Sequence, residues 1–468
     1  MTPGARIQEA IELLQAIDAA PKAPADRVAS SYFRSRRYVG AKDRAAIQGV
    51  VYDVLRRRAQ LDWWLTRVEI ADPSPRGRVL ACLAKITQWP GADIEAAFSG
   101  ARHAPPRLTP EESQALRRLT GGRRPADVDA IDHPDQPAEI RGNVPGWIAP
   151  ALSQAFGDRL GDELRALLEP ATVDLRVNAL KTTRDEALSR LRSEGVTAEP
   201  TSLSPLGLRL VGRRPLGETG SFKDGIVEVQ DEGSQLVALL VDAKPGMRVV
   251  DFCAGAGGKA LAIAAGMDNK GHVVACDVSA KRLEASGKRL RRAGVHNVER
   301  KLLEDESDKW VKRHKHAYDR VLVDAPCTGI GTWRRNPDGR WSLDPKDLEE
   351  LVPKQARILA SAARLVKPGG RLVYATCSLL PAENERQVEG FLAAHPDFAP
   401  VPLEALWPAV GAGPVPCAGP YLHLTPARHG TDGFFAAVLE RKSTQHLVEQ
   451  APRPASGNHA SHGHDDHP

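Results

Sequence analysis

Cysteine is scarce in this chain, with six among 468 residues, at positions 82, 253, 276, 327, 377 and 417. No two lie three apart, which excludes a zinc ribbon and a thioredoxin-type pair. So thin a supply cannot build a disulfide framework and suits a reducing compartment, so a cytoplasmic location is expected. Long hydrophobic runs are missing too, since no stretch approaches the roughly 18 apolar residues of a membrane-spanning helix. The opening segment, MTPGARIQEAIELLQAID, has apolar residues at helical spacing and lacks the order of a secretory leader.

What is present is ample material for a core, with 42% hydrophobic and 26% charged residues. The length suggests about two to four domains. The net charge of +5 hides an uneven distribution, because residues 1–124 hold 21 Lys/Arg against 13 Asp/Glu. Clusters fall at Arg34-Ser35-Arg36-Arg37, Arg56-Arg57-Arg58 and Arg117-Arg118, with Tyr32, Phe33, Tyr38, Trp63 and Trp64 among them. Basic clusters interleaved with aromatics suit a polyanion partner; a solvated helix face gives the same pattern.

Apolar spacing divides the chain. Ile7, Ile11, Leu14 and Ile17 form one helical stripe, and Ile47, Val50, Val51, Val54 and Leu55 another, so 1–140 reads as an all-helical domain. It ends in a proline- and aspartate-rich linker, ADVDAIDHPDQPAEIRGNVP. Residues 147–168 read as helix, VDLRVNAL and GLRLVG as strands, and Thr183-Arg184-Asp185-Glu186 as a capping box opening a helix that Gly195 closes. These place a small α+β subdomain at 141–245, with a sheet face that could meet RNA. From 246 to 442, strands MRVVDFC, HVVACD, DRVLVDAP and RLVYATC, with a weaker HNVERKLL, alternate with helices, which predicts an α/β domain with a mostly parallel sheet. The histidine-rich tail, 443–468, lacks apolar periodicity and reads as disordered, with no metal site expected.

The loop Cys253-Ala254-Gly255-Ala256-Gly257-Gly258-Lys259 follows the first strand of that domain and opens a helix. Its glycines let a ligand approach the backbone. Asp277 ends the next strand, where a carboxylate can accept hydrogen bonds from ribose hydroxyls. Gly255, Gly257 and Ala260 also trace a dinucleotide fingerprint, so the glycines do not exclude NAD. The following strands end in acids and cysteines and offer no partner for hydride transfer, which favours S-adenosylmethionine, with Asp305 placed for the adenine.

Cys327, in Asp324-Ala325-Pro326-Cys327, and Cys377, in Ala375-Thr376-Cys377-Ser378, each lie just past a strand. A lone cysteine is usually packing. Two on neighbouring parallel strands, roughly 4.8 Å apart, would instead bracket the ligand crevice. Methylation of a pyrimidine carbon needs such thiols. A thiolate adding at C6 of cytosine makes C5 nucleophilic, and a second thiol can assist release. Asp324 can stabilise ring N3 as charge develops.

These motifs resemble the Nop/Sun family of RNA (cytosine-5) methyltransferases, and within it the bacterial small-subunit rRNA enzymes. The likeness covers about residues 145–440 and rests on DFCAGAGGK, ACD, DAPCTGIGTWRRNPDGRW and YATCSLLPAENE. The resemblance implies a class I S-adenosylmethionine-dependent, Rossmann-like methyltransferase with Cys377 as nucleophile and Cys327 assisting release. It implies cofactor contacts from Cys253 to Lys259 and from Asp277, Asp305 and Asp324. DNA cytosine-5 methyltransferases attack with the Pro-Cys thiol and lack the Thr-Cys-Ser partner, so the pair points to RNA. The cofactor loop departs from the family's Ala-Pro-Gly-Gly-Lys-Thr, lacking the proline and threonine. The helical region before residue 140 is similar to the family's NusB-like extension in character and position. A monomer without an obligate protein partner, forming 5-methylcytosine in 16S rRNA, is the expectation. A tRNA enzyme with the same site and an inactive RNA-binding assembly factor are the alternatives.

Overall fold

The computed structural model describes residues 1–70, 73–121, 131–212 and 216–443. The expected disordered tail lies outside them, apart from Ser443. No helix among the described residues is long and apolar enough to cross a membrane.

The N-terminal region is helical because its apolar residues recur on one face and its helices are capped. Thr2 accepts from Ala5 N at 3.2 Å and opens helix Pro3–Asp18, which buries Ile7, Ile11, Leu14 and Ile17. These meet Ile47, Val51, Leu61, Leu65, Leu80 and Leu83 in one core. The aromatics read as a nucleic-acid face are largely used inside this domain. Tyr32 and Phe33 are buried, Arg36 lies 3.6 Å over the Tyr32 ring while pairing with Glu9 and Glu12, and Trp64 Nε1 donates to Ile131 O at 2.7 Å. Arg34 and Arg37 remain exposed.

The described part of the expected linker is a packed joint. Asn143 is fully buried, donating to Gln60 Oε1 at 2.7 Å and accepting from Gln60 N at 3.2 Å. Its carbonyl accepts from Arg340, and Val144 and Ile148 pack with Trp333.

The small subdomain is an antiparallel sheet in the order β2 (Ala198–Pro200), β3 (Gly207–Leu210), β1 (Asp174–Val177), β4 (Val227–Val229). The capping box forms as read: Thr183 accepts from Glu186 N, and Glu186 accepts from Thr183 N, at the start of helix Arg184–Ser193.

The large sheet runs β10 (Phe398–Val401), β12 (Phe434–Arg441), β9 (Val366–Thr376), β8 (Tyr318–Asp324), β5 (Arg248–Asp251), β6 (His272–Asp277), β7 (Val298–Leu302), with β11 (Leu422–Leu424) on β12. β9, β8, β5, β6 and β7 are parallel, as the alternation predicts. β10, β11 and β12 are additional and antiparallel. Successive residues face opposite cores. Val249, Val273, Leu322 and Val373 meet helices Glu232–Leu240 and Gly258–Gly266, whereas Val250, Val274, Val321 and Leu372 meet helices Pro345–Ala363 and Glu385–Ala394. With both faces covered, the strands read as unbroken apolar runs.

The segment TWRRNPDGRW, 332–341, fastens the helical domain to this sheet. Trp341 Nε1 donates to Leu55 O at 2.8 Å, Arg56 donates to Arg334 O at 3.1 Å, and Asp338 accepts from Ala25 N at 2.9 Å. Gln60→Leu should strand the Asn143 amide in this dry joint and lower the unfolding free energy by about 1–3 kcal/mol. Urea denaturation checks the loss, and faster proteolysis near residues 131–148 should accompany it.

Candidate active site

β8 and β9 run parallel with Asp324 opposite Ala375, so the loops beyond them leave the sheet side by side. Cys327 and Cys377 stand on those loops with their Sγ atoms 3.4 Å apart. The hydrogen bond to Cys377 and burial push the Cys327 thiol well above its ordinary value.

The loops are held by Glu383, a buried residue that sequence reasoning did not single out. Its carboxylate accepts from Thr328 N at 2.9 Å, from Gln355 Nε2 at 2.9 Å, and from the hydroxyls of Thr328 and Ser378. Thr328 follows Cys327 and Ser378 follows Cys377, so one side chain ties the residues after both thiols. Tyr374 on β9 donates to the Glu383 carbonyl at 2.6 Å, and Asn384 bridges Thr376 Oγ1 and Ser378 O. A signal is present in the sequence, an acid amid YATCSLLPAENE five residues past Ser378. Gly331 closes the arrangement by donating to Cys377 O at 2.9 Å, and a Cβ there would meet Gly433 O at 2.3 Å.

The loop 253–259 leaves β5 beside this pair. Gly255 and Gly257 take left-handed φ of 55° and 78°. Asp277 ends β6 and accepts from Gly255 N at 2.8 Å and Ser279 N at 2.7 Å, so it braces the loop it was expected to complement. Ala254 N donates to Cys276 O, Ala256 O accepts from Arg289, and Gly258 O accepts from Arg176 of β1, a further contact not foreseen. Cys253 stays a thiol, raised by burial and by nearby Asp251. Lys259 Nζ pairs with Asp324 Oδ2 at 2.7 Å. Burial works to lower the ammonium, and that carboxylate outweighs it, holding Lys259 above its ordinary value. Cys377 also acts on Lys259 electrostatically. Asp305 is not drawn in. It is exposed and accepts from Ser307 N and Oγ, each at 2.7 Å, in a turn of its own.

Asp251, at the end of β5, is buried with neither carboxylate oxygen partnered among the described residues. Burial and the neighbouring Asp324 push it up to about 7. An orphaned acid, two further acids and an open glycine backbone fit a cationic nucleoside such as S-adenosylmethionine.

Two outcomes follow from this geometry. Asp251 takes up a proton on folding, so its contribution is full below about pH 4 and is lost as pH rises through about 7. Relative to Asp251→Asn, the protein should lose on the order of 4 kcal/mol over that window, read from denaturation at each pH. Glu383→Gln turns one acceptor into a donor facing hydroxyls. It should cost about 1–3 kcal/mol of stability and speed alkylation of Cys327 and Cys377 by iodoacetamide about tenfold.

A family model described as 16S rRNA methyltransferase RsmB/F matches residues 238–440, and an RsmF/B-like ferredoxin-like domain matches residues 144–216. The chain is 36% identical over 302 residues to the probable ribosomal RNA small subunit methyltransferase B of Synechocystis sp., covering 64% of this chain and 67% of that one. It is 33% identical over 409 residues to ribosomal RNA small subunit methyltransferase B of Xylella fastidiosa, covering 85% and 92%. The crystal structure of PH0851 matches with a TM-score of 0.74 at 27% identity, over 94% of this chain and 99% of that one. The orphaned acid beside a glycine loop, the paired thiols and these likenesses agree: the chain belongs to the RsmB/F family of S-adenosylmethionine-dependent rRNA methyltransferases.

Proposed function

We propose that this protein methylates C5 of a cytosine in 16S rRNA through a covalent bond between Cys377 and C6 of the base. The observation that carries the reading is the thiol pair, 3.4 Å apart, next to the Lys259–Asp324 ion pair and the glycine loop. Cys377 adds to C6 as thiolate. Cys377 and burial hold Cys327 as a thiol until the Cys377 sulfur is bonded to C6. Cys327 then gives its proton to solvent and, as thiolate, takes the C5 proton, while the C5–H electrons re-form the C5–C6 double bond and the sulfur–C6 bond breaks to return the Cys377 thiolate. Asp324 faces N3 of the ring, with Lys259 holding the carboxylate in place. S-adenosylmethionine supplies the electrophilic methyl group. Cys253 to Lys259 and Asp277 cradle that cofactor, with Asp251 as the acid left free for it.

In this reading the three units divide the work: the helical domain, 1–140, and the α+β subdomain, 141–245, hold RNA, and the domain 246–442 carries the chemistry. The protein acts as a monomer on RNA.

Cys377→Ala should reduce methyl transfer roughly a thousandfold while leaving cofactor affinity nearly unchanged. Cys327→Ala should form the adduct and accept the methyl group but fail to release, giving a protein–RNA species that survives denaturing electrophoresis. That species should vanish in the double variant. Trapping by Cys377→Ala instead would exchange the roles of the two thiols. Bisulfite sequencing of 16S rRNA and tRNA from a deletion strain identifies the target, and loss of 5-methylcytosine from tRNA alone would overturn the rRNA assignment.

A further inference from the structure

A second cleft opens immediately beyond the thiols. Its volume is about 430 Å³, and its walls come from two domains. Thr328 and Gly329, the first and second residues after Cys327, line it together with Asn336 and Asp338 from the joining segment. Lys22, Asp26 and Arg27, at the turn that opens helix Ala25–Ser35, line it from the helical domain. Consecutive Cα atoms are about 3.8 Å apart, so Gly329 lies no more than about 7.6 Å from Cys327.

The side chains lining this cleft differ in what they leave available. Lys22 is spent on Asp344, Asp347 and the Ser342 carbonyl. Asp338 accepts from Ala25 N, and the Thr328 hydroxyl is committed to Glu383. Arg27 is exposed, and its guanidinium has no ion pair or hydrogen bond among the described residues. Asn336 is exposed too; its amide nitrogen makes one long contact to Thr332 Oγ1, 3.5 Å, and its amide oxygen has none among the described residues. Among the side chains lining the cleft are thus an unused cation, a largely unused amide and two carboxylates, Asp26 and Asp338.

We propose that this cleft binds the ribonucleotide adjacent to the target cytidine, with Arg27 on its phosphate and Asn336 on the edge of its base. The inference rests on the function proposed above and adds to it a subsite that determines sequence preference. RNA is read by sequence mainly where single-stranded bases are splayed out and bonded along their edges. An RNA whose cytosine lies against Cys377 can continue past the Cys327 loop, where Thr328 and Gly329 line the cleft. A guanidinium suits a phosphate, and an amide can pair with donor and acceptor positions on a base. Asp26, whose Oδ1 also accepts from Arg27 N at 2.7 Å, and Asp338 would meet the amino groups of a base.

Unmodified 16S rRNA transcripts test this, each carrying a substitution at one neighbour of the cytidine mapped by bisulfite sequencing. Arg27→Glu should raise KM about tenfold on every transcript, with kcat within about twofold, and Arg27→Lys should recover most of the loss. For one of the two neighbours, the wild type should discriminate between bases about fivefold or more in KM, and Asn336→Ala should reduce that preference to less than about twofold. Preference persisting in Asn336→Ala, or KM unmoved by Arg27→Glu, would overturn the subsite. A wild-type enzyme that transfers no methyl group to any transcript would instead overturn the proposed function, so the two failures are distinct.

Discussion

One buried carboxylate sets where both thiols stand. Glu383 gathers four donors from three segments: the turn after Cys327, the residue after Cys377, and Gln355 on the helix beneath. A carboxylate accepts at both oxygens, whereas an amide would present a donor to hydroxyls that need an acceptor. Burying such a charge is costly unless every lone pair is used, and here the donors that use it are the ones that need positioning. The 3.4 Å sulfur separation is therefore a product of polar geometry, with parallel strands supplying only the coarse approach.

The joining segment 332–341 applies the same principle on a larger scale. Arg334 and Arg335 converge on Asp432, Arg335 also reaches Asp231, and Arg340 lies fully buried with its donors on Asn143 O and Leu167 O. Burial, with Arg56 and Arg57 nearby, lowers Arg340 to about 9. In the fold the arginines of this segment bind the protein to itself.

What was legible in the sequence follows from which forces act locally. Strands buried on both faces announce themselves as apolar runs, so β5, β6, β8 and β9 were readable, and the capping box at Thr183 needed only four residues. The placement of Cys327 and Cys377 was also readable, because each follows a strand end and the strands neighbour each other. Glu383, Arg176 and the bracing of the glycine loop by Asp277 were not, because each acts on a residue distant in sequence or on a backbone group that has no letter of its own. The basic N-terminal clusters are only partly legible for a related reason. Charge counts do not reveal that Arg36 is already matched to Glu9 and Glu12.

The C-terminal strand has a consequence for the order in which the protein can be made. β12 covers the open side of β9, Gly433 abuts Gly331, and Lys259 lies 5.5 Å from the Phe434 ring. These residues come about sixty positions after Cys377. A nascent chain emerging from the ribosome holds both thiols and the whole glycine loop well before it holds the strand that closes their sheet. Until then β9 is an unpaired edge, the kind that recruits foreign strands. The edge of the sheet next to Cys377 is thus closed only after the thiols and the glycine loop have been made.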